Sequence, residues 1–583
     1  MTTFDGRKRA VINNVSPMVE NGRFPAKRIV GDIVNVTADI FADGHCSIAA
    51  MLLYKHENSA VWKSIPMAIG ENDRWSGQFI VETVGRYVFT VEAWVEPNKK
   101  WVTKYEKELP IVVDPKKAGF STWYEMFPRS CSNKKSRGTF KDCEERLAEL
   151  EKMGFDVLYL PPIHPIGISK RRGKNNQVKC SSKDPGSPWA IGSAEGGHKS
   201  IHSELGTMSD FKRLIKKAKE HGIDVALDLA FQCSPDHPYV KEHPKWFSYL
   251  PDGTIKHAEN PPKKYEDIVP FNFETDEWKA LWDELKSIVV YWVKNGISVF
   301  RVDNPHTKPF AFWEWLIPSL KKEYPNLIFL SEAFTRSKVM NWLAMLDFTQ
   351  TYTYFTWRHT KRELIDFIND ITGEELREFY RPNLWPNTPD ILSEDLQHGG
   401  RHAFELRLLL AATLSSNYGI YGPPFEHIVS AALPNSEEYL DSEKYEIKHW
   451  DNTSPDTIKE LITKVNRIRR ENPSLQLTAN VKFYQNDNEN IIYFIKCTLN
   501  LTNVLLIAIN LDPFNEQSTL LNIPLEELGL NEKYSYRVHE LLTNKHLTWQ
   551  GREQKISINP ATNVGYIFRL YRKKLENDFD YYS

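Results

Sequence analysis

At 583 residues and 67.8 kDa the chain is too large for one ordinary core, and its 41% hydrophobic content is enough to build several, so two to four domains are expected. A formal net charge of −2 and a pI near 6.8 exclude a global attraction to nucleic acid or anionic membrane, and any anion site must be local. Six cysteines without C-x-x-C spacing exclude a disulfide frame and a zinc site, and read as reduced, mostly buried thiols of a cytoplasmic protein.

The opening MTTFDGRKRAVINNV lacks the apolar stretch and small-residue cleavage site of a secretory signal, and no apolar run along the chain is long enough to span a bilayer. Residues 1–115 alternate apolar and polar between turn residues, as in IVGDIVNVTADIFADGH and WSGQFIVETVGRYVFTVEAWV, which predicts an N-terminal β-sandwich. Over 116–473 the rhythm changes to short apolar runs separated by charged helical segments: STWYEMFPRS, CEERLAELEKMGFDVLYLPP, SDFKRLIKKAKEHGIDVALDLAF, WKALWDELKSIVVYWVKNGISVFRVD and LIFLSEAF. Repeated units of that length predict an α/β fold, a (β/α)₈ barrel. Two segments are too long for ordinary connections and should roof the catalytic face: HPIGISKRRGKNNQVKCSSKDPGSPWAIGSAEGGH, and a loop subdomain at about 233–275 after the third strand. From 474 to about 575 short strands return, VKFYQ, NIIYFIKC, NVLLIAINL and YSYRVHELL, predicting a C-terminal β-sandwich before a charged tail at 576–583.

Two of the apolar runs end on carboxylates, FRVDN at Asp303 and LIFLSEAF at Glu332. In a parallel barrel the C-terminal strand ends are where catalytic side chains gather, so the pair suits nucleophile and acid/base in sugar chemistry. Arg301 lies two residues before Asp303 on the same strand face and can keep that aspartate ionised and oriented. Other signals have plainer readings. His198, His202, His237 and His306 fall on separate loops without ligand spacing, so no metal is proposed. The glycines of GSAEGGH lack a strand–GxGxxG–helix context, and KRRGK reads as a solvated loop.

The set DVALDLAF, FRVDN, LSEAF and NTPDIL resembles the α-amylase superfamily of retaining glycoside hydrolases and transglycosylases. By that resemblance Asp303 is the nucleophile, Glu332 the acid/base, and Asp390 the third carboxylate, which grips sugar hydroxyls. Two departures narrow it: Gln232-Cys233 stands where typical amylases carry Asn-His, and Pro389 where they carry His before the third carboxylate. With LDLAFQCSPDHP, WAIGSAEGGH, NPPKKYEDI, FRVDNPHTKP and EKYEIKHWD, most of residues 120 to 470 closely resembles the α-1,4-glucan:maltose-1-phosphate maltosyltransferases.

What the resemblance implies is a retaining glycosyltransferase that needs no cofactor. Its partners are α-maltose 1-phosphate, an α-1,4-glucan or maltooligosaccharide acceptor and the inorganic phosphate product, in a homodimer engaged in glycogen-like synthesis. Asn260, Lys263 and Tyr265, with Ser187 and Asn304, fall at the phosphate end; Lys174, Gln232, Lys444 and Tyr445 hold the maltosyl unit. An amide, an ammonium and a phenol within ENPPKKYEDI make a sensible set for phosphate oxygens, although a lysine pair in a loop is otherwise ordinarily solvated. In the expected reaction Asp303 attacks the anomeric carbon as phosphate departs, and Glu332 protonates the leaving group, then deprotonates the acceptor's 4-hydroxyl. Two alternatives stand beside this reading: a retaining α-glucan hydrolase, and a glucan-binding scaffold without turnover.

Overall fold

The computed structural model describes residues 5–132, 134, 136–260 and 263–571, with the side chains of Asn260 and Lys263 outside that description. The predicted tail therefore lies outside the described residues. Eight parallel strands form one nearly closed sheet, here numbered as the barrel's own: β1 Ser121–Glu125, β2 Val157–Leu160, β3 Asp224–Leu229, β4 Val299–Asp303, β5 Ile328–Glu332, β6 Gln350–Thr351, β7 Asn383–Leu384 and β8 Asn417–Tyr421. Their order is β6-β5-β4-β3-β2-β1-β8-β7, consecutive neighbours with β8 returning to β1. These strands are buried nearly throughout because a parallel barrel covers both faces of each one. The polar residues within them are thus chosen for another purpose.

The chain divides into two compact units, one made of Met1–Gly119, Asn304–Thr351 and Gly373–Arg381, the other of Phe120–Asp303, Tyr352–Thr372 and Pro382–Ser583. In the first, a four-stranded and a six-stranded sheet are built from the N-terminal residues. Strand Ile33–Phe41 shows the cause: Val34, Val36, Ala38 and Ile40 are fully buried while the residues between them are not, the period of two of a strand with one face in a core. Lys27 is buried here, giving its ammonium to the carbonyls of Ala344 and Phe348.

In the second unit, helix α1 (Phe140–Met153) begins with a capping box between Thr139 and Asp142, and Gly154 ends it in the left-handed region at φ 85°, where a side chain would be strained. The predicted roof over 233–275 contains two short antiparallel pairs, Gln232–Cys233 with Val269–Pro270 and Ala258–Asn260 with Lys263–Tyr265. Asn260, Lys263 and Tyr265, expected in a loop, therefore lie on paired strands. After helix α2 (Lys459–Glu471), a six-stranded antiparallel sheet and a two-stranded one enclose a core that includes Ile491, Tyr493, Leu506, Val538 and Phe568. All six cysteines are free, but Cys46 and Cys180 are exposed and Cys497 is half-buried, so the expectation of mostly buried thiols holds only for Cys131, Cys143 and Cys233.

Candidate active site

Asp303 ends β4 and Arg301 stands two residues before it, which in a strand puts both on one face. Arg301 Nη1 donates at 2.8 Å to Asp303 Oδ1 and at 2.8 Å to Asp228 Oδ2. Asp228 is the register neighbour of Arg301 on β3, and all three side chains are buried. Asp228 Oδ2 also accepts from Tyr159 at 2.5 Å and from Trp189 Nε1 at 3.2 Å. Burial pushes the Asp228 carboxyl up, opposed by Arg301 and reinforced by the charge of Asp303. One guanidinium thus fixes two carboxylates in a dry site, where hydrogen bonds to ionised groups are strongest.

From Trp189 the same network continues to Asp390. Lys444 Nζ lies 5.2 Å from the centre of the Trp189 ring and donates to Asp390 Oδ1 at 2.6 Å. Burial works against the Lys444 charge, yet Asp390 prevails and holds the ammonium well above its usual range. Asp390 itself, beside the Thr388–Ile391 bridge, keeps its side chain 44% exposed. Arg129 anchors this loop through the carbonyls of Glu443 and Lys444. Pro389, Asp390, Lys444, Tyr445 and Asn175 line one crevice. Tyr445 is buried, which pushes its phenol up.

The acid candidate is held by a different device. Glu332 ends β5, and its Oε2 accepts the backbone N–H of Asn304 at 3.1 Å. Asn304 adopts φ 44° and ψ 54°, the left-handed region that Asn tolerates better than most residues, and so turns the chain directly after Asp303. Its carbonyl accepts from Thr307 Oγ1 at 2.7 Å and from Lys308 Nζ at 3.2 Å, which ties the turn down.

The remaining predicted residues are placed as follows. Ser187 is buried, and its Oγ accepts from the N–H of Trp189 at 3.4 Å, steadying the ring that contacts Lys444 and Asp228. Gln232 is half-buried in its strand pair beside fully buried Cys233. Asn260 and Lys263 face each other across the hairpin end, and their side chains lie outside the described residues. Tyr265 sits at the hairpin base, where buried Arg172 donates to the carbonyl of Lys264 at 2.9 Å. Lys174 is 66% exposed and pairs with Glu446 at 2.5 Å, which raises its ammonium above the usual range. Asn175 bridges to Asp441 at 2.9 Å, so this segment clasps the loop that carries Lys444.

Sequence reasoning missed Asp228, Tyr159 and Trp189, which join the network of Arg301 and Asp303. The available signal was an acid, Asp228, set among the apolar residues of the strand DVALDL. It also set the histidines apart, whereas His198, His237 and Cys233 come together, with one ligand atom of each within 4.8 Å of the others. The N–H of Tyr239 donates to His237 Nδ1 at 3.0 Å, so His237 Nε2 carries the proton and donates to His198 Nδ1 at 3.1 Å. His198 Nε2 then donates to the carbonyl of Ala230 at 2.9 Å. Burial lowers both imidazoles to about 3. Every ring nitrogen is committed, and a metal ion would have to break that chain of hydrogen bonds.

Comparison with known proteins gives the following. Residues 8–158 match the family described as "Alpha-1,4-glucan:maltose-1-phosphate maltosyltransferase, domain N/S", residues 125–282 match "Alpha amylase, catalytic domain", and residues 483–570 match "GLGE, C-terminal". Among similar proteins, the α-1,4-glucan:maltose-1-phosphate maltosyltransferase of Chlorobaculum tepidum is 44% identical over 97% of each chain. That of Methylacidiphilum infernorum is 45% identical over 97% of this chain and 96% of its own. Among solved structures, a cyclomaltodextrinase covers 96% of this chain and 99% of its own, with a TM-score of 0.63 at 15% identity. The noncanonic maltogenic α-amylase AmyB of Thermotoga neapolitana gives 0.60 at 21% identity over 78% of this chain and 99% of its own. Those two likenesses speak to the fold alone.

Proposed function

The chain belongs to the α-1,4-glucan:maltose-1-phosphate maltosyltransferase family, within the α-amylase superfamily, and is a transferase; from that membership we propose that it moves maltosyl units from α-maltose 1-phosphate to the non-reducing end of an α-1,4-glucan, with retention. The observation that carries the reading is the turn after β4. Asp303 is gripped by Arg301, and the next residue, Asn304, gives its N–H to Glu332. A nucleophile and an acid/base each held by a fixed donor suit double displacement.

Asp303 attacks the anomeric carbon as the bond from that carbon to the phosphate oxygen breaks, forming a β-maltosyl ester on the enzyme. Glu332 gives its proton to the departing phosphate. An acceptor 4-hydroxyl then attacks the same carbon, Glu332 takes the hydroxyl proton, and Asp303 leaves as carboxylate. Asp390 grips two sugar hydroxyls, most tightly as the ring flattens toward the oxocarbenium-like transition state, with Lys444 fixing its orientation. Lys174, Gln232 and Tyr445 hold the maltosyl unit, while Ser187, Asn260, Lys263, Tyr265 and Asn304 serve the phosphate. Family membership also supports a homodimer, a cytoplasmic setting and a glycogen-like product. No helix among the described residues is long and apolar enough to cross a membrane.

The test is a quench of Glu332→Ala with α-maltose 1-phosphate. Phosphate leaves readily without a proton but the acceptor hydroxyl needs a base, so intact mass should rise by one maltosyl group, mapped to the peptide containing Asp303. Turnover by Asp303→Ala equal to that of the wild type would remove the nucleophile assignment.

A further inference from the structure

Arg129 sits in the 3₁₀ turn Pro128–Ser130, shortly after β1, and is 5% exposed. Its Nη1 donates to the carbonyl of Gly186 at 2.9 Å, and its Nη2 donates to the carbonyls of Glu443 at 2.7 Å and Lys444 at 3.1 Å. One guanidinium therefore joins two segments that are remote in the chain, and each carries residues assigned to the donor. Ser187 follows Gly186, and Lys444 grips Asp390 at 2.6 Å. Burial opposes the Arg129 charge and pushes its guanidinium down to about 9, while these three acceptors are neutral main-chain oxygens. Burying a cation in this way works against folding, so the fork is better explained by what it fixes.

Both segments are also braced on their own side. Gly186 turns at φ 71°, and a Cβ there would lie 2.8 Å from Arg171 Cγ, so backbone shape sets the turn that delivers Ser187 and Trp189. On the other side the buried Glu443 carboxylate accepts from the hydroxyl of Tyr421, which ends β8, and from Trp450 Nε1 at 3.0 Å. The ring contact of Lys444 with Trp189 links the two segments through side chains. Arg129 links them through their backbones, and so sets the register of everything they carry. A lysine offers one ammonium on a flexible stem and cannot reproduce a planar fork that reaches both.

We propose that Arg129 is a positioning residue for the transfer reaction, keeping the loop with Ser187 and the loop with Lys444 in one register so that both ends of the donor are gripped at once. The proposal rests on the reading of α-maltose 1-phosphate as the donor. Arg129 acts through these loops and not on the reacting atoms. Contacts made at the phosphate end are passed through it to the sugar ring that Asp390 grips, where remote binding is turned into rate. A shift of about 1 Å between the loops costs on the order of 100-fold.

A double-mutant cycle tests it. Values of kcat/KM for α-maltose 1-phosphate are compared for Ser187→Ala, Lys444→Met and the two combined, once with Arg129 in place and once with Arg129→Lys. With Arg129 the two losses should fail to multiply by about threefold or more, and with Arg129→Lys they should multiply within about twofold. Arg129→Lys alone should lose about 10- to 100-fold, mostly in kcat, and millimolar guanidinium ion should restore Arg129→Ala at least about threefold. Losses that multiply with Arg129 in place, coupling that survives Arg129→Lys, or no rescue by guanidinium would each overturn the proposal. So would failure of both Arg129 variants to fold, since the residue would then serve the fold alone. A wild type that releases no phosphate from α-maltose 1-phosphate would defeat the donor reading instead, and the same cycle run with α-maltosyl fluoride then decides for Arg129.

Discussion

Lys444 and Asp390 are joined at 2.6 Å, and through the Trp189 ring and Asp228 they belong to the same network as Arg301 and Asp303. The residue proposed to stabilise the transition state and the proposed nucleophile are thus held by one connected set of side chains. Lys444→Met removes the charge-assisted bond that orients Asp390. That bond is worth about 1.5–3 kcal/mol, so kcat/KM for the donor should fall about 10- to 100-fold with the folding midpoint little changed. Steady-state phosphate release measures it.

Arg301→Lys keeps the charge but not the fork that reaches two carboxylates. Activity should fall at least about 100-fold. Arg301→Met strands two buried acids and should destabilise the protein by about 3–5 kcal/mol, read from urea unfolding.

Asn304 separates two roles in one position. Asn304→Gly keeps the left-handed turn and the N–H that Glu332 accepts, so kcat should survive better than KM for the donor. Asn304→Val strains the turn, and kcat should fall as well. Full kinetics with varied maltose 1-phosphate distinguish the two variants.

These expectations also mark how far sequence reading reaches. The Arg301–Asp303 pair was legible because a strand repeats every two residues and both fall in FRVDN. The link from Asp390 to Lys444 crosses 54 residues and that from Trp189 to Asp228 crosses 39, and no periodicity reports such contacts. Asn260, Lys263 and Tyr265 read as residues of one loop, yet Ala258–Asn260 and Lys263–Tyr265 are paired antiparallel strands. His198, Cys233 and His237 meet because the long loop after β2 packs on the segment after β3, which spacing alone does not encode.

Gly419 on β8 faces the Trp385 ring, and a Cβ there would lie 2.3 Å from a ring carbon. Trp385 is itself stacked on Tyr352 at 5.0 Å, so it has little room to yield. Gly419→Ala should cost about 1–3 kcal/mol of stability by overpacking, seen as a lower urea midpoint.

Lys496 is buried in the C-terminal sheet, donating to the carbonyl of Leu477 at 2.5 Å, and burial lowers its ammonium to about 7. Between pH 7 and the ordinary lysine value near 10.5 the unfolded chain binds more protons than the folded one, so stability rises with pH across that window. The gain is about 1.4 kcal/mol for each pH unit inside it. Unfolding of wild type against Lys496→Met at pH 7 and pH 10 should show the difference between them shift in favour of the wild type at the higher pH.

The account centres on Asp303 holding maltose for transfer rather than yielding it to water. Incubation with α-maltose 1-phosphate, with and without maltotetraose, measures this directly through released phosphate and the product ladder. Phosphate release that depends on acceptor, with products growing by two glucose units at each step, is the predicted result. Free maltose formed at the same rate with or without acceptor, and no elongation, would contradict it.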